Sequence, residues 1–387
     1  MNSPGQLEAL CGLVRQEGCF AFDTEFIRER SYRPRVCLIQ VATSAGVWLI
    51  APERVDAGPF WRLVGDGQIA TVLFSGAQDL EICYYATGAA GRNVFDVQVA
   101  AGLVGMSYPS SYAAVLREVL GIEIERSETY TNWAQRPLTL RQVAYAVEDV
   151  AHLLPLYRHF GARLESLERL GWMREEMAAL EADARYDPRQ KAGTVSGRAV
   201  GRMSPRELAV LAELARWRER VAHDRDLPVR RVVSDECLCE LARRELADAS
   251  AVLGVRGFPH SDGDGLARDA LEAVRRAAEL PDGALPPREG RSDDEGHRAA
   301  LVDLAAAVGR SICLAESVSP RLLAARKDYE ELVDAVSAEN ASAPAAPRLL
   351  TGWRRQCVGL RLARVLSGEA AVRTVRRGSL RLLTVSE

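Results

Sequence analysis

Between Cys19 and Ile27 the chain reads CFAFDTEFI, an apolar and aromatic run broken by two acids at alternate positions, Asp23 and Glu25. A run of this length and composition predicts a β-strand, and strand side chains alternate faces with period two. Asp23 and Glu25 therefore project from one face, close enough to repel each other unless a cation lies between them. Their placement between Phe22 and Phe26 raises the cost of leaving them ionised and unpaired. Hard divalent ions such as Mg²⁺ take oxygen ligands of this kind. A D-x-E pair alone is more often a strand end with solvated charges. The metal reading requires further acids from elsewhere in the fold.

Two later segments supply them. Asp79, in QDLEICYY, follows a predicted strand (IATVLFS) and opens a predicted helix. Downstream, LTLRQVAYAVEDVAHLLPLY carries Tyr145 and Asp149. That stretch opens with a capping-box spacing at Thr139 and Gln142, and its apolar residues Val143, Ala146, Val150, Leu153 and Leu154 recur with helical period. Tyr145 and Asp149 lie one turn apart on a helix and share a face. Singly, Asp79 reads as a helix cap, Asp149 as a solvated charge and Tyr145 as a core aromatic.

Together, FDTEF, SGAQDLEICYY and YAVEDVAHLLPLY resemble the three motifs of the DEDDy 3′–5′ exonucleases, and most closely the ribonuclease D family. ERSYRPRVCLIQVAT and RSETYTNWAQRPLTLRQ resemble that family at the corresponding places, and the likeness covers nearly the whole chain. Carried over residue by residue, it implies that Asp23, Glu25, Asp79 and Asp149 are the metal-binding acids and that Tyr145 is the tyrosine of the subclass. It also implies two Mg²⁺ or Mn²⁺ ions, with Asp23 bridging both, Glu25 and Asp149 on the side of the attacking water, and Asp79 on the other. The sequence departs from the family at Phe74, where a histidine is usual.

Composition bounds the rest. At 387 residues the chain exceeds one ordinary core and accommodates two or three domains. A net charge of −3 carries no global basic excess, so nucleic-acid contact must come from local arginines such as those in IRERSYRPR, RWRER and PVRRVV. The eight cysteines show no spacing suited to zinc and sit mostly in apolar runs. No signal peptide or membrane-spanning run is read, and a reducing cytoplasmic setting, no membrane partner and a monomer are expected.

CFAFDTEFI, RVCLIQVAT and GVWLIAP predict three successive strands. IATVLFS and NVFDV then alternate with helices, which gives a mixed sheet covered by helices. The family likeness implies an α/β ribonuclease H-like exonuclease domain over residues 1–185, followed by two small all-α HRDC-like domains. Polar, Gly-rich stretches at 186–202 and 283–296 read as linkers, bracketing an HRDC domain at 203–282. A second, diverged copy is expected over 297–370, because Leu211, Leu214, Ala215 and Arg220 recur as Leu301, Leu304, Ala305 and Arg310. Residues 371–387 are an unassigned tail.

Hydrolysis of a phosphodiester needs an activated water, a stabilised leaving oxygen and charge compensation, and a pair of divalent ions supplies all three. The expected substrate is RNA with a free 3′ end, tRNA precursors above all, released as 5′-mononucleotides. The alternatives are a DNA 3′–5′ exonuclease of the same chemistry and a degenerate RNA-binding protein. Phe26 and Trp133 are candidate stacking partners for bases, and Arg136 a candidate phosphate contact.

Overall fold

A computed structural model describes residues 1, 3–124, 131–190, 195, 200, 203–259, 265–285, 295–337, 346–375 and 379–384, with side chains as far as Arg373. The chain divides into two compact units, one comprising residues 1–25, 37–181 and 291–387, the other residues 26–36 and 182–290.

The first unit is built on a five-stranded mixed sheet. Helix α1 (Pro4–Glu17) leads into β1 (Cys19–Ile27), β2 (Arg35–Thr43) and β3 (Gly46–Ile50). Then come α2 (Gly58–Val64), β4 (Ala70–Leu73), α3 (Ala77–Thr87), β5 (Val94–Asp96), α4 (Val97–Leu103), α5 (Tyr112–Leu120), α6 (Leu140–Ala151), α7 (Leu153–Ser166) and α8 (Leu170–Glu181). The strand order is β3-β2-β1-β4-β5. β2 and β3 pair antiparallel, whereas β4 runs parallel to both β1 and β5. Phe20, Phe22 and Phe60 are fully buried with ring centroids 5.3–5.9 Å apart, and anchor β1 in the core.

Register sets where the chemistry gathers. Ala21 lies opposite Val72, and Val72 opposite Phe95. The carboxyl ends of the three parallel strands thus lie side by side, carrying Asp23 and Glu25, the turn from Phe74 to Asp79, and Asp96. Open parallel sheets place their ligand sites at this edge.

The apolar period that ran from Val143 to Leu154 belongs to two helices. α6 has its capping box at Thr139 and Gln142, then ends at His152, where α7 begins. Pro155 accounts for the break: it has no N–H for the carbonyl of Ala151, and its ring would crowd that carbonyl in a continuous helix.

The second unit contains α9 (Pro205–Asp224), α10 (Val229–Val232), α11 (Asp235–Arg243), α12 (Ala249–Leu253) and α13 (Leu266–Ala278). Ser204 and Glu207 form the capping box of α9, with Pro205 at its first position. Leu211, Leu214 and Trp217 face inward, and Trp217 stacks on Phe258 with centroids 6.3 Å apart. Cys237 and Cys239 are buried here as small apolar side chains. Residues 26–36 group with these helices because Tyr32 donates its hydroxyl to Glu219 (2.6 Å) and Arg33 its amide to Asp226 (2.9 Å). Arg218 of RWRER is buried, paired with Asp235 (2.7 Å) and donating to the Val233 carbonyl, so it serves the helical core and not a phosphate.

Residues from 295 onward return to the first unit as α14 (Glu295–Ala315), α15 (Pro320–Leu323), α16 (Arg326–Ser337), α17 (Gly352–Arg354), a π-helical turn at Arg355–Gly359, and α18 (Leu360–Leu366). They pack on α8 and α4. Trp353 is fully buried and stacks on Trp172 (4.9 Å), and Trp353 and Arg354 both bond to Glu176. Arg169 donates to the carbonyls of Leu103, Glu316 and Ser317. The tail carries an antiparallel hairpin, β6 (Ala370–Val375) and β7 (Ser379–Thr384), which the sequence did not signal.

Helix ends recur between the two helical regions at an offset one residue larger than the leucines suggest. α9 ends at 224 and α14 at 315; α10 begins at 229 and α15 at 320; α11 begins at 235 and α16 at 326. The left-handed residues Asp226 (φ 50°) and Ser317 (φ 52°) keep the same offset of 91. Matching leucine to leucine gave 90, yet Leu304 is 39 % exposed while Val302, Ala305 and Val308 are buried like Leu211, Leu214 and Trp217. Smaller residues take the inward positions of α14, and Leu304 turns outward. The linkers read at 186–202 and 283–296 lie largely outside the described residues, as does most of RSETYT.

Candidate active site and metal centre

Strand β1 and helix α6 bring three acids together: oxygens of Asp23, Glu25 and Asp149 lie within 4.8 Å of one another. Alternation along β1 puts the first two on one face, and α6 lays Asp149 against them. The three acids line a pocket of about 360 Å³ with Thr24, Phe74, Ser75, Gln98, Ser110, Ser111, Tyr112 and Tyr145. Tyr145, one turn before Asp149, faces the same space. Asp79 stands outside that set of oxygens. It is buried beside Asp23, and its carboxylate accepts the Thr24 hydroxyl at 2.5 Å.

The electrostatics are those of crowded anions. Burial, and then the charges of Asp79, Asp149 and Glu25, hold Asp23 well above the usual carboxylate range. Burial followed by Asp149 and Asp79 pushes Glu25 up to about 8. Burial pushes Asp79 up to about 7 against the opposing bond from Thr24. Protons relieve this repulsion, and so do divalent cations, which match the all-oxygen donor set. Folded-state values above the unfolded ones mean that stability is present below about pH 4.5 and is lost as pH rises through about 8. In chelator the melting temperature is therefore expected to fall between pH 5 and pH 8. Mg²⁺ or Mn²⁺ should restore it, with a gain that grows with pH. A calorimetric series with and without the ion checks this; a metal-independent profile would contradict it.

The expected substrate contacts fare differently. Trp133 is buried, 6.0 Å from the Tyr145 ring, and offers little face to a base. Arg136 donates to Glu53 and to the carbonyls of Trp133, Gln135 and Cys37 (2.6 Å). It clamps the loop that precedes α6. Phe26 does not line the pocket. Phe74, which the sequence marked only as a departure, does line it, packing edge-on against Tyr112 at 5.2 Å. Thr24, Gln98, Ser110 and Tyr112 carry no signal in the sequence, because each is unremarkable in its own segment and acquires its place only through folding.

A family model described as 3′–5′ exonuclease matches residues 2–165, and the HRDC domain model matches residues 207–261. Ribonuclease D of Gluconacetobacter diazotrophicus is 35 % identical over 95 % of both chains. Ribonuclease D of Pseudomonas paraeruginosa is 34 % identical over 95 % of this chain and 96 % of its own. The chain belongs to the ribonuclease D family. The crystal structure of Escherichia coli RNase D, described as an exoribonuclease involved in structured RNA processing, superposes with a TM-score of 0.74 at 28 % identity, covering 95 % of this chain and 98 % of that one. As a ribonuclease D family member the chain is a 3′–5′ exoribonuclease with an HRDC domain, and its family's chemistry depends on divalent metal. Among the described residues no helix is long and apolar enough to cross a membrane.

Proposed function

We propose that this exoribonuclease trims the 3′ ends of structured RNA, tRNA precursors first among them, using Asp23, Glu25, Asp79 and Asp149 to hold two Mg²⁺ or Mn²⁺ ions. The observation that carries the reading is the convergence of three carboxylates from β1 and α6 in the pocket that Tyr145 also faces. Bound divalent ions supply an activated water and charge compensation at the phosphorus. Asp23, Glu25 and Asp149 provide the anionic oxygens, and Thr24 orients Asp79 from the adjoining strand. Tyr145 hydrogen-bonds the attacking water and directs it, a role that suits a phenol better than proton abstraction. Phe74 and Tyr112 close one wall with aromatic rings.

Residues 297–370 are read as a diverged HRDC-like domain, supported by the 91-residue recurrence of helix ends and of the left-handed residue before the short helix. Exposed Arg230 and Arg231 on α10 suit phosphate contact. Eight free cysteines suit a reducing cytoplasm, and a monomer is the simplest working form.

Tyr145→Phe tests the mechanism. It should lower kcat by roughly 10²–10⁴-fold, the usual contribution of a positioned acid–base group, with divalent-ion binding retained. A variant as fast as the parent would make Tyr145 structural.

A further inference from the structure

Asp96, the last residue of β5, is 3 % exposed, and its carboxylate accepts four backbone amides from two directions. Oδ1 takes Ser75 (3.0 Å), Gln98 (2.9 Å) and Val99 (3.4 Å), and Oδ2 takes Gly76 (3.0 Å). Two of these bonds cap α4, as an Asp at a helix N-terminus commonly does. The other two reach across to the turn after β4, and capping does not require them.

That turn is strained and sits at the site. Ser75 has φ of 58°, in the left-handed region that a residue with a Cβ enters only at a cost. At Gly76 an added Cβ would lie 2.6 Å from the Leu73 side chain, so the chain folds tightly back on the end of β4. Phe74 and Ser75 line the acid pocket, and Asp79 follows three residues after Gly76. On the other side Gln98 lines the same pocket and donates to the Ser110 carbonyl (2.8 Å), beside Ser111 and Tyr112 of the opposite wall. One buried carboxylate thus ties the Phe74–Asp79 turn to the Gln98–Ser110 wall.

We propose that Asp96 is a positioning residue for hydrolysis: it holds Ser75 and Gly76 in the conformation that aims Phe74 into the pocket and Asp79 at the metal centre. The inference rests on the proposed role of Asp79. Asp96 itself does not line the acid pocket. An asparagine here keeps one acceptor, but its NH₂ would confront either the Gly76 amide or the amides on Oδ1.

The test compares the full-length parent, Asp96→Asn, and Asp96→Asn combined with Ser75→Gly, on a 5′-labelled RNA oligonucleotide across a Mg²⁺ titration. Asp96→Asn is expected to melt cooperatively, to lose at least about 10-fold in kcat, and to need more Mg²⁺ for half-maximal rate. Glycine at 75 enters the left-handed region without the Cβ penalty, so the double variant should regain part of the lost rate. A carboxylate that only caps α4 would give no such rescue. Kinetics and a Mg²⁺ midpoint equal to the parent's, or a defect untouched by Ser75→Gly, would overturn the proposal. Should Asp96→Asn not fold, hydrogen exchange on the parent decides: protected Ser75 and Gly76 amides support the tie, and exchange at free-loop rates rejects it. An inactive parent would instead count against the function proposed above.

Discussion

Asp23→Asn is expected to abolish hydrolysis while leaving the protein folded. Asp23 shares the acid cluster with Glu25 and Asp149 and lies beside Asp79, so it is central to any ion held there. Losing it should cost on the order of 10³-fold or more in rate, about 4 kcal/mol of transition-state stabilisation. The same substitution removes one of the crowded carboxyl groups. In chelator at pH 8 the variant should melt at or above the parent, and its gain on adding Mg²⁺ should shrink. Activity and melting thus move in opposite directions, which a folding defect cannot produce. Parental activity in the variant would contradict the site assignment.

A chain ending at Ala184 should hold the exonuclease fold with much reduced stability. The sequence alone places a boundary there, because polar, Gly-containing residues follow. In the structure, residues 291–387 share a compact unit with the exonuclease residues. Truncation removes fully buried Trp353 from Trp172, strips Glu176 of Arg354, and leaves the Arg169 guanidinium without the carbonyls of Glu316 and Ser317. It also removes the bond from the Ser319 amide to Gly102 (2.9 Å). Breaking one buried ion pair by deleting a partner costs about 3–5 kcal/mol. With the lost apolar burial, a fall in melting temperature on the order of 10–20 °C follows for a domain of this size. Supplying residues 291–387 as a separate chain should raise it again. A truncated protein that melts like the parent would mean these contacts are dispensable.

What could be read in advance was what local periodicity encodes. Two-residue alternation placed Asp23 and Glu25 on one face of β1, and the four-residue spacing on α6 placed Tyr145 with Asp149. The capping boxes at Thr139 and Ser204 marked real helix starts because their bonds lie within four residues. Family likeness supplied Asp79 as a fourth acid; only the structure shows it turned toward Thr24. An aromatic ring and a guanidinium suit a buried clamp as well as they suit RNA, so residue type alone did not announce the packing that Trp133 and Arg136 make. Arg218 repeats the lesson, since a basic run can be half core. The Trp172–Trp353 stack joins residues 181 positions apart, and no local pattern announces such a contact. Matching leucines gave an offset one residue short of the one the helix ends share, because the pattern of burial, and not residue identity, follows the helix ends.

The most direct measurement is digestion of matched RNA and DNA oligonucleotides, each 5′-labelled and carrying the same sequence, with Mg²⁺ and with excess chelator. A ladder shortening one nucleotide at a time from the 3′ end of the RNA, slower on the DNA and absent in chelator, is the predicted result. Degradation that persists in chelator, or internal cuts without a 3′ ladder, would contradict the account.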